Sequence, residues 1–304
     1  MKVRVGVGPG VGAAGGMDAE RFFGYIDACE RVGWDSIWFS ERVGGDILDP
    51  LAAMSVAIGR SERLKFGFSV LVLPGRNPVL LAKQLATMDV LSKGRIVTAF
   101  GLGSPLPDES AIFGVDRKER AGRTDEAAQL MQRLWSEDDV TFEGRYYNVH
   151  NVSLRPKPVQ QPLDLWFGGH SDAACRRVGR YGTGWLPSFV APSEYKAKVE
   201  AIKAIAAENG RELEEDHYGA LVPYVPSGKQ DASEAVLSVL AKRRPEIDPR
   251  DVVAVGGDAN LRALLEEFVT QGATKFVIVP AVAPDDWEEE LQRTYDNVTK
   301  PLEN

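Results

Sequence analysis

Residues Leu64 to Phe100 read LKFGFSVLVLPGRNPVLLAKQLATMDVLSKGRIVTAF. The stretch Leu64 to Leu73 is almost wholly apolar and carries no charge after Lys65, as a strand buried on both faces does. Pro74 and Gly75 end it. Pro78 stands at the first position of a helix, where its missing N–H is lost in any case, and the helix runs to about Leu91. Arg95 to Phe100 is the next strand. A strand, a helix of this length and a second strand form one βαβ unit, and such units build parallel sheets.

The same rhythm extends in both directions. Towards the amino terminus lie a strand at Val3 to Gly8, a helix from Ala19 to about Val32 between an Asp18 cap and Gly33, a strand Ser36 to Phe39, and a helix Asp49 to Arg60. Towards the carboxyl terminus a helix covers about Arg117 to Trp135. Two short strands, Val140-Thr141-Phe142 and Tyr146-Tyr147, then flank Glu143-Gly144. The rhythm resumes with a strand Leu163 to Phe167, a helix from Ser171, a short strand at Trp185, a helix from Ser193 and a strand from Gly219 to Val225. A strand Val252 to Val255, a helix Asn260 to Gln271, a strand Lys275 to Pro280 and an acidic helix close the chain. Eight or nine strands with helices between nearly all of them predict a (β/α)₈ TIM barrel, one domain over 1–304 with insertions near 140–162 and 226–250. Two smaller α/β domains are the alternative.

The 304 residues are 44% hydrophobic and 26% charged, ordinary values for a globular enzyme-sized chain. A formal net charge of −8 without a dense Lys/Arg block argues against nucleic acid and anionic membranes as partners. The first residues alternate charged and β-branched types, which is not a signal peptide, and every apolar run is interrupted by charge before reaching membrane-spanning length. Cys29 and Cys175 sit inside helical patterns, as free thiols of a reducing compartment do. A cytoplasmic location is expected.

Gly10-Val11-Gly12-Ala13-Ala14-Gly15 matches the dinucleotide fingerprint, and Glu41 could serve as its ribose-binding acid. The helix cap Asp18 lies beyond the last glycine, however, whereas a true fingerprint places the glycines at the helix N-terminus. The run reads better as a loop. Glu41-Arg42 lies at the carboxyl end of the second strand, where barrel active sites are built, although an ion pair at the rim would look the same. Phe167-Gly168-Gly169-His170-Ser171 opens a helix, and glycines there let backbone N–H groups approach an anion. With three histidines and no H-x-H or H-E-x-x-H spacing, no catalytic metal is expected. There is no G-x-S-x-G elbow either.

Arg76, Asn77-Pro78 through Gly103, Arg123-Thr124-Asp125-Glu126 with Leu134-Trp135, Phe142 to Tyr147, Arg155-Pro156-Lys157-Pro158, Phe167-Gly168-Gly169, Gly182-Thr183-Gly184-Trp185 and Val255-Gly256-Gly257-Asp258 together resemble luciferase-like monooxygenases and F420-dependent reductases over nearly the whole chain. The resemblance implies a non-proline cis peptide at Ser69-Val70 behind the ring of a bound cofactor. It also implies that Gly168, Gly169 and His170 hold the cofactor phosphate, with Ser188 presenting a hydroxyl to it. The cofactor so implied is coenzyme F420, with FMN as the alternative, and the partner is a small-molecule substrate. A homodimer is expected on the same ground.

The sequence departs from that pattern where the deazaflavin enzymes often carry Asp-His after the second strand. Here Glu41-Arg42 stands. A guanidinium does not release its proton near neutrality, so Arg42 would clamp an anion or carbonyl, leaving acid–base work to Glu41 or, second, Glu109. Val43-Gly44-Gly45-Asp46 and Ala191 replace the Trp and Lys of the sugar-phosphate dehydrogenases, which disfavours a phosphosugar. The function expected is an F420-dependent hydride transfer to or from a small organic molecule. The alternatives are an FMN-dependent monooxygenase and a non-catalytic flavin-binding member.

Overall fold

The computed structural model describes residues 2–12, 15–104 and 111–303. The strands β1 (Arg4–Val7), β2 (Ser36–Phe39), β3 (Lys65–Phe68), β4 (Leu71–Val72) and β5 (Ile96–Gly101) alternate with the helices α1 (Ala19–Val32), α2 (Pro50–Arg60) and α3 (Pro78–Ser92). After α4 (Arg120–Ser136) comes an antiparallel pair, β6 (Val140–Glu143) and β7 (Asn148–Val152). Then follow β8 (Leu165–Phe167), α5 (Asp172–Tyr181), β9 (Gly184–Trp185), α6 (Pro192–Glu208), β10 (Gly219–Tyr224), α7 (Ser233–Arg243), α8 (Asp258–Thr270), β11 (Lys275–Pro280) and α9 (Trp287–Thr294).

The helices begin where local chemistry dictates. Asp18 and Asp49 each accept a backbone N–H of the first turn of α1 and α2, at 2.9 Å from Arg21 and Ala52. Asn77 does the same for α3 ahead of Pro78. Gly33, at φ +106°, ends α1 in the left-handed conformation that glycine adopts at little cost.

All ladders among β1–β5 and β8–β11 are parallel, in the order β10-β11-β1-β2-β3-β5-β8-β9, with β4 also on β5. β3 and β4 are two halves of one barrel strand, broken at Ser69-Val70. Parallel bridges from Trp185 to Tyr218 and from Ser188 to Leu221 join β9 to β10 and close the ring. This is the (β/α)₈ barrel expected from the βαβ rhythm.

Its interior is filled, not hollow. Trp38 and Trp166 are buried on the axis side with Val97, Ala99, Leu186 and Val277. Each indole lies flat on a glycine of the neighbouring strand: a β-carbon at Gly67 would stand 2.3 Å from Trp38, and one at Gly184 2.2 Å from Trp166. Alternating large and absent side chains thus packs a barrel of this width. On the outer face Ile37, Phe66, Phe68 and Phe167 are buried under the helices, each contributing about 1.5–3 kcal/mol.

Two expected strands differ. The second strand of the excursion is Asn148–Val152, not Tyr146-Tyr147. The Glu126 carboxylate takes the N–H groups of Arg145, Tyr146 and Tyr147, at 2.9, 2.8 and 3.2 Å, and so turns that segment instead of leaving it free for a ladder. Val252 to Val255 forms a single bridge, Ala254 to Tyr224, because the N–H groups of Val252 and Val253 turn back to the Pro249 carbonyl.

Candidate active site

The carboxyl ends of the strands gather the loops named above. The Gly-rich run after β1 does not open α1. β-carbons at Gly8, Gly10 and Gly12 would stand 2.4, 2.9 and 2.5 Å from the carbonyl oxygens of Trp38, Pro280 and Ala281. These glycines therefore let the loop lie flat across the ends of β2 and β11, which explains the pattern without a dinucleotide. Ala13 and Ala14 lie outside the described residues.

The Ser69-Val70 peptide is cis. The Ser69 N–H donates to the Phe39 carbonyl at 2.8 Å, tying the break to β2. Val70 is turned into the barrel mouth. A β-carbon at Gly101 would meet its Cγ2 at 2.5 Å, and one at Gly168 its Cγ1 at 3.0 Å. The tips of β5 and β8 are thus bare backbone on either side of a single isopropyl group. Beside it the hydroxyls of Ser40 and Ser69 lie 3.1 Å apart, and the Ser40 hydroxyl also reaches the Ser69 carbonyl at 3.2 Å.

Glu41 is placed beneath this shelf. One carboxylate oxygen accepts the Val72 N–H at 2.6 Å, the other pairs with Arg76, and the Arg76 Nε donates to the Val72 carbonyl at 2.9 Å. Its side chain is 2% exposed. Burial raises its pKa, and this outweighs the lowering by Arg76 and by the Val72 N–H. With both oxygens engaged, Glu41 fixes β4 rather than facing the mouth. Arg42 is exposed on the rim, its stem within 3.1–3.4 Å of where a Gly45 β-carbon would stand. Glu109 lies outside the described residues.

The glycine turn after β8 leads into the N-terminus of α5. Gly168 N–H is held by the Phe100 carbonyl at 2.8 Å, and Gly169, exposed at φ +90°, has only the Ala174 methyl near its vacant β-position. Ser171 caps α5 by accepting the Ala174 N–H at 3.2 Å. Lys198 of α6 donates to the His170 carbonyl at 2.8 Å, and Trp185 to the Gly169 carbonyl at 2.9 Å. His170 is half-buried. Burial lowers its pKa, the Arg244 and Lys198 charges lower it further, and a hydrogen bond with the Ser188 backbone opposes them. Ser188 is thereby brought beside the turn.

Ser69, Val70, Gly168, Gly169, His170 and Ser188 therefore converge on one face, while Glu41 stands behind it. Sequence reading missed Gly101, Ser40 and Lys198. Gly101 stands inside the motif quoted above, one residue beyond the strand expected to end at Phe100, and only the bulge explains why that position lacks a side chain.

A barrel whose third strand breaks at a cis serine–valine peptide, with the valine lodged between two strand-end glycines, agrees with the match of residues 2–294 to the model of the luciferase-like monooxygenases. This chain belongs to the luciferase-like monooxygenase family. Within the family it is 33% identical over 172 residues to an F420-dependent glucose-6-phosphate dehydrogenase of Amycolatopsis mediterranei, across 53% of this chain and 51% of that one. The chain thus spans about half the length of that curated relative. An enzyme of the same name from Nakamurella multipartita is 28% identical over 279 residues, covering 88% of this chain and 80% of its own. Among solved structures, an F420-dependent secondary alcohol dehydrogenase with an F420-acetone adduct superimposes over both whole chains with a TM-score of 0.84 at 20% identity. The monooxygenase RslO1 of Streptomyces bottropensis does so with a TM-score of 0.78 at 21%, over 97% of each chain. At such identities these likenesses speak for the fold.

In this member of the family Glu214, Asp216 and His217 each bring a potential ligand atom within 4.8 Å of the others, just before β10 at the opposite end of the barrel. His217 turns Nε2 to Glu214 and Asp216, at 3.6 and 3.8 Å, while its Nδ1 stands 2.9 Å from the Thr183 carbonyl. Among the described residues no helix is long and apolar enough to cross a membrane.

Proposed function

We propose that this chain is an oxidoreductase that uses coenzyme F420 to move a hydride to or from a small organic substrate. The observation that carries the proposal is the Val70 side chain standing between the bare strand ends at Gly101 and Gly168, directly before the glycine turn that opens α5. The residues present fit a flat ring with an anionic tail. Val70 offers one apolar surface for the ring face, and a β-carbon at Gly168 would crowd it at 3.0 Å. The N–H groups of Gly169 and the first turn of α5 offer donors and a favourable dipole to a phosphate. The relatives named as F420-dependent dehydrogenases support the same reading.

The chemistry that F420 supplies when bound is a hydride, which with one proton converts a carbonyl to an alcohol, or is taken back in the reverse direction. Val70 orients the ring. Gly169 and His170 hold the phosphate, Ser188 adds a hydroxyl, and Gly168, whose N–H is given to the Phe100 carbonyl, sets the turn that presents them. Glu41 and Arg76 keep β4 in place behind Val70. With Glu41 so engaged, the Ser40 hydroxyl is the described group set to hold a proton beside the shelf, and it passes to Ser69 within hydrogen-bond distance. Arg42, a permanent cation on the rim, takes the anionic end of cofactor or substrate.

Fluorescence titration of cofactor-free protein with F420 and with FMN tests the proposal. Arg76 is committed to Glu41, and the exposed Arg42 and Arg176 at the barrel rim are the cations proposed to meet the longer anionic tail of F420. Two exposed contacts amount to about a fivefold preference for F420, which shrinks as salt rises. Equal or tighter FMN binding at low salt overturns the deazaflavin assignment. The exposed Val56, Leu80 and Leu91 on the adjacent α2 and α3 support a homodimer, which light scattering checks. The buried thiols of Cys29 and Cys175 support a reducing, cytoplasmic compartment.

A further inference from the structure

The insertion at 226–250 carries α7, which packs on the chain that runs from β9 into α6. Leu237, Leu240, Val252 and Val253 are buried with Ala191 in a small core of their own, and Phe189 packs against it. Phe189 stands at φ +59°, in the left-handed region. A bulky side chain is seldom held there, and only where its surroundings fix it. Among the described residues the other non-glycines with positive φ are Lys93, which ends α3, and Asp139 and Asn151 at the β6–β7 pair. Phe189 has no such local reason. Two arginines of the insertion hold it instead. Arg244, its side chain 7% exposed, donates to the Phe189 carbonyl, pairs with Glu246, and reaches both carboxylate oxygens of Glu194 in the first turn of α6 at 3.2 Å. The Arg243 guanidinium lies 4.8 Å over the Phe189 ring.

The φ of Phe189 sets the plane of the Ser188–Phe189 peptide, and with it the direction of the Ser188 carbonyl. That carbonyl faces His170, because a backbone hydrogen bond that raises an imidazole pKa is one the backbone accepts. We propose that Arg244 is a positioning residue for the turn that takes the cofactor phosphate: with Arg243 it holds Phe189 left-handed and so keeps Ser188 facing His170. This role rests on the reading of Gly169, His170 and Ser188 as the phosphate site. Arg244 is engaged by the Phe189 carbonyl and two carboxylates, so its part is geometry rather than contact with the anion. Without it Phe189 relaxes towards the ordinary region, and affinity falls by the fraction of molecules that keep the turn. If about one molecule in ten keeps it, the loss is about tenfold.

Fluorescence titration with F420, and NMR of the His170 imidazole in cofactor-free protein, test this on Arg244→Gln alone and combined with Phe189→Gly. Arg244→Gln is expected to weaken F420 about tenfold and to move the His170 signal. Glycine adopts a positive φ at little cost, so Phe189→Gly removes the need for the clamp. The double variant is therefore expected to return to within about threefold of the parent, with the His170 signal moving back. Where Gly169→Ala weakens F420, unchanged affinity in Arg244→Gln overturns the role, and so does a double variant as weak as the single one, since a loss of charge or packing is not relieved by glycine. Arg243→Ala alters an exposed residue and serves if Arg244→Gln does not fold: a loss of about threefold, relieved by Phe189→Gly, is expected, and unchanged affinity overturns the role. Where Gly169→Ala leaves F420 affinity unchanged, the phosphate lies elsewhere and the His170 signal alone decides. Its recovery in the double variant keeps the clamp, and its failure to recover removes it.

Discussion

Val70 and Gly101 share one volume: a β-carbon on Gly101 would stand 2.5 Å from the Val70 Cγ2. The break in the third barrel strand and the missing side chain at the end of the next are therefore one feature. Neither has its purpose without the other. Gly168 completes it from the far side, where a β-carbon would stand 3.0 Å from Cγ1.

Gly101→Ala is expected to push Val70 from its place and destabilise the fold by about 1–3 kcal/mol, the usual effect of overpacking. Adding Val70→Ala should restore most of that stability while leaving cofactor affinity low, because the ring then lacks its shelf. Urea denaturation with fluorescence titration separates the two effects. A double variant that binds cofactor like the parent would remove Val70 from the ring site.

Gly169→Ala places a side chain at φ +90°, where an L residue loses about 1–2 kcal/mol, and sets its methyl 3.1 Å from that of Ala174. The turn must shift, so the donors of Gly169 and His170 no longer point together at an anion. A loss of cofactor affinity of about tenfold is expected, the size of one charge-assisted hydrogen bond. Unchanged affinity would place the phosphate elsewhere.

Burial raises the pKa of Glu41 above its ordinary 4.5, so the folded chain holds that proton more tightly than the unfolded one. The resulting stabilisation is complete below pH 4.5 and is lost as pH rises through the folded value. Parent and Glu41→Gln compared across pH 4 to 8 isolate this contribution from other titrating groups. The parent's stability relative to the variant should fall as pH rises over that range. A relative stability that rises instead would mean that Arg76 dominates over burial.

The barrel was legible because its determinants are local. The apolar run from Leu64, Pro78 at the start of α3 and the Asp18 and Asp49 caps each act within a few residues, and the structure places those elements where the periodicity did. The strand at Tyr146-Tyr147 was not legible, since the carboxylate that turns it belongs to Glu126 on another element. The same applies to the site. Ser69, Val70 and Gly168 to His170 were marked by resemblance, whereas the Glu41–Arg76 clamp and the Ser40–Ser69 hydroxyl pair arise from contacts across strands that no spacing in the sequence announces.

His170 supplies the prediction that bears most directly on the phosphate site. Burial lowers its pKa from the ordinary 6.5, and Arg244 and Lys198 add to the effect against the Ser188 hydrogen bond and the Glu194 charge. The imidazole is therefore neutral at pH 7. Its contribution to folding is present above pH 6.5 and is lost as pH falls through the folded value. An anion seated on the Gly168 to Ser171 turn would favour the charged ring, so bound cofactor should raise the His170 pKa. By linkage, F420 affinity should then strengthen as pH falls from 7.5 towards the folded value. The phosphate of F420 is a diester and does not titrate in this range, whereas the ring hydroxyl of the deazaflavin does, so the His170 contribution is the difference between parent and His170→Gln. NMR titration of the imidazole with and without F420, assigned by His170→Gln, measures both shifts, and the variant should bind F420 with a shallower pH dependence. A His170 pKa unmoved by F420, or a pH dependence as steep in His170→Gln as in the parent, would remove this residue from the phosphate site.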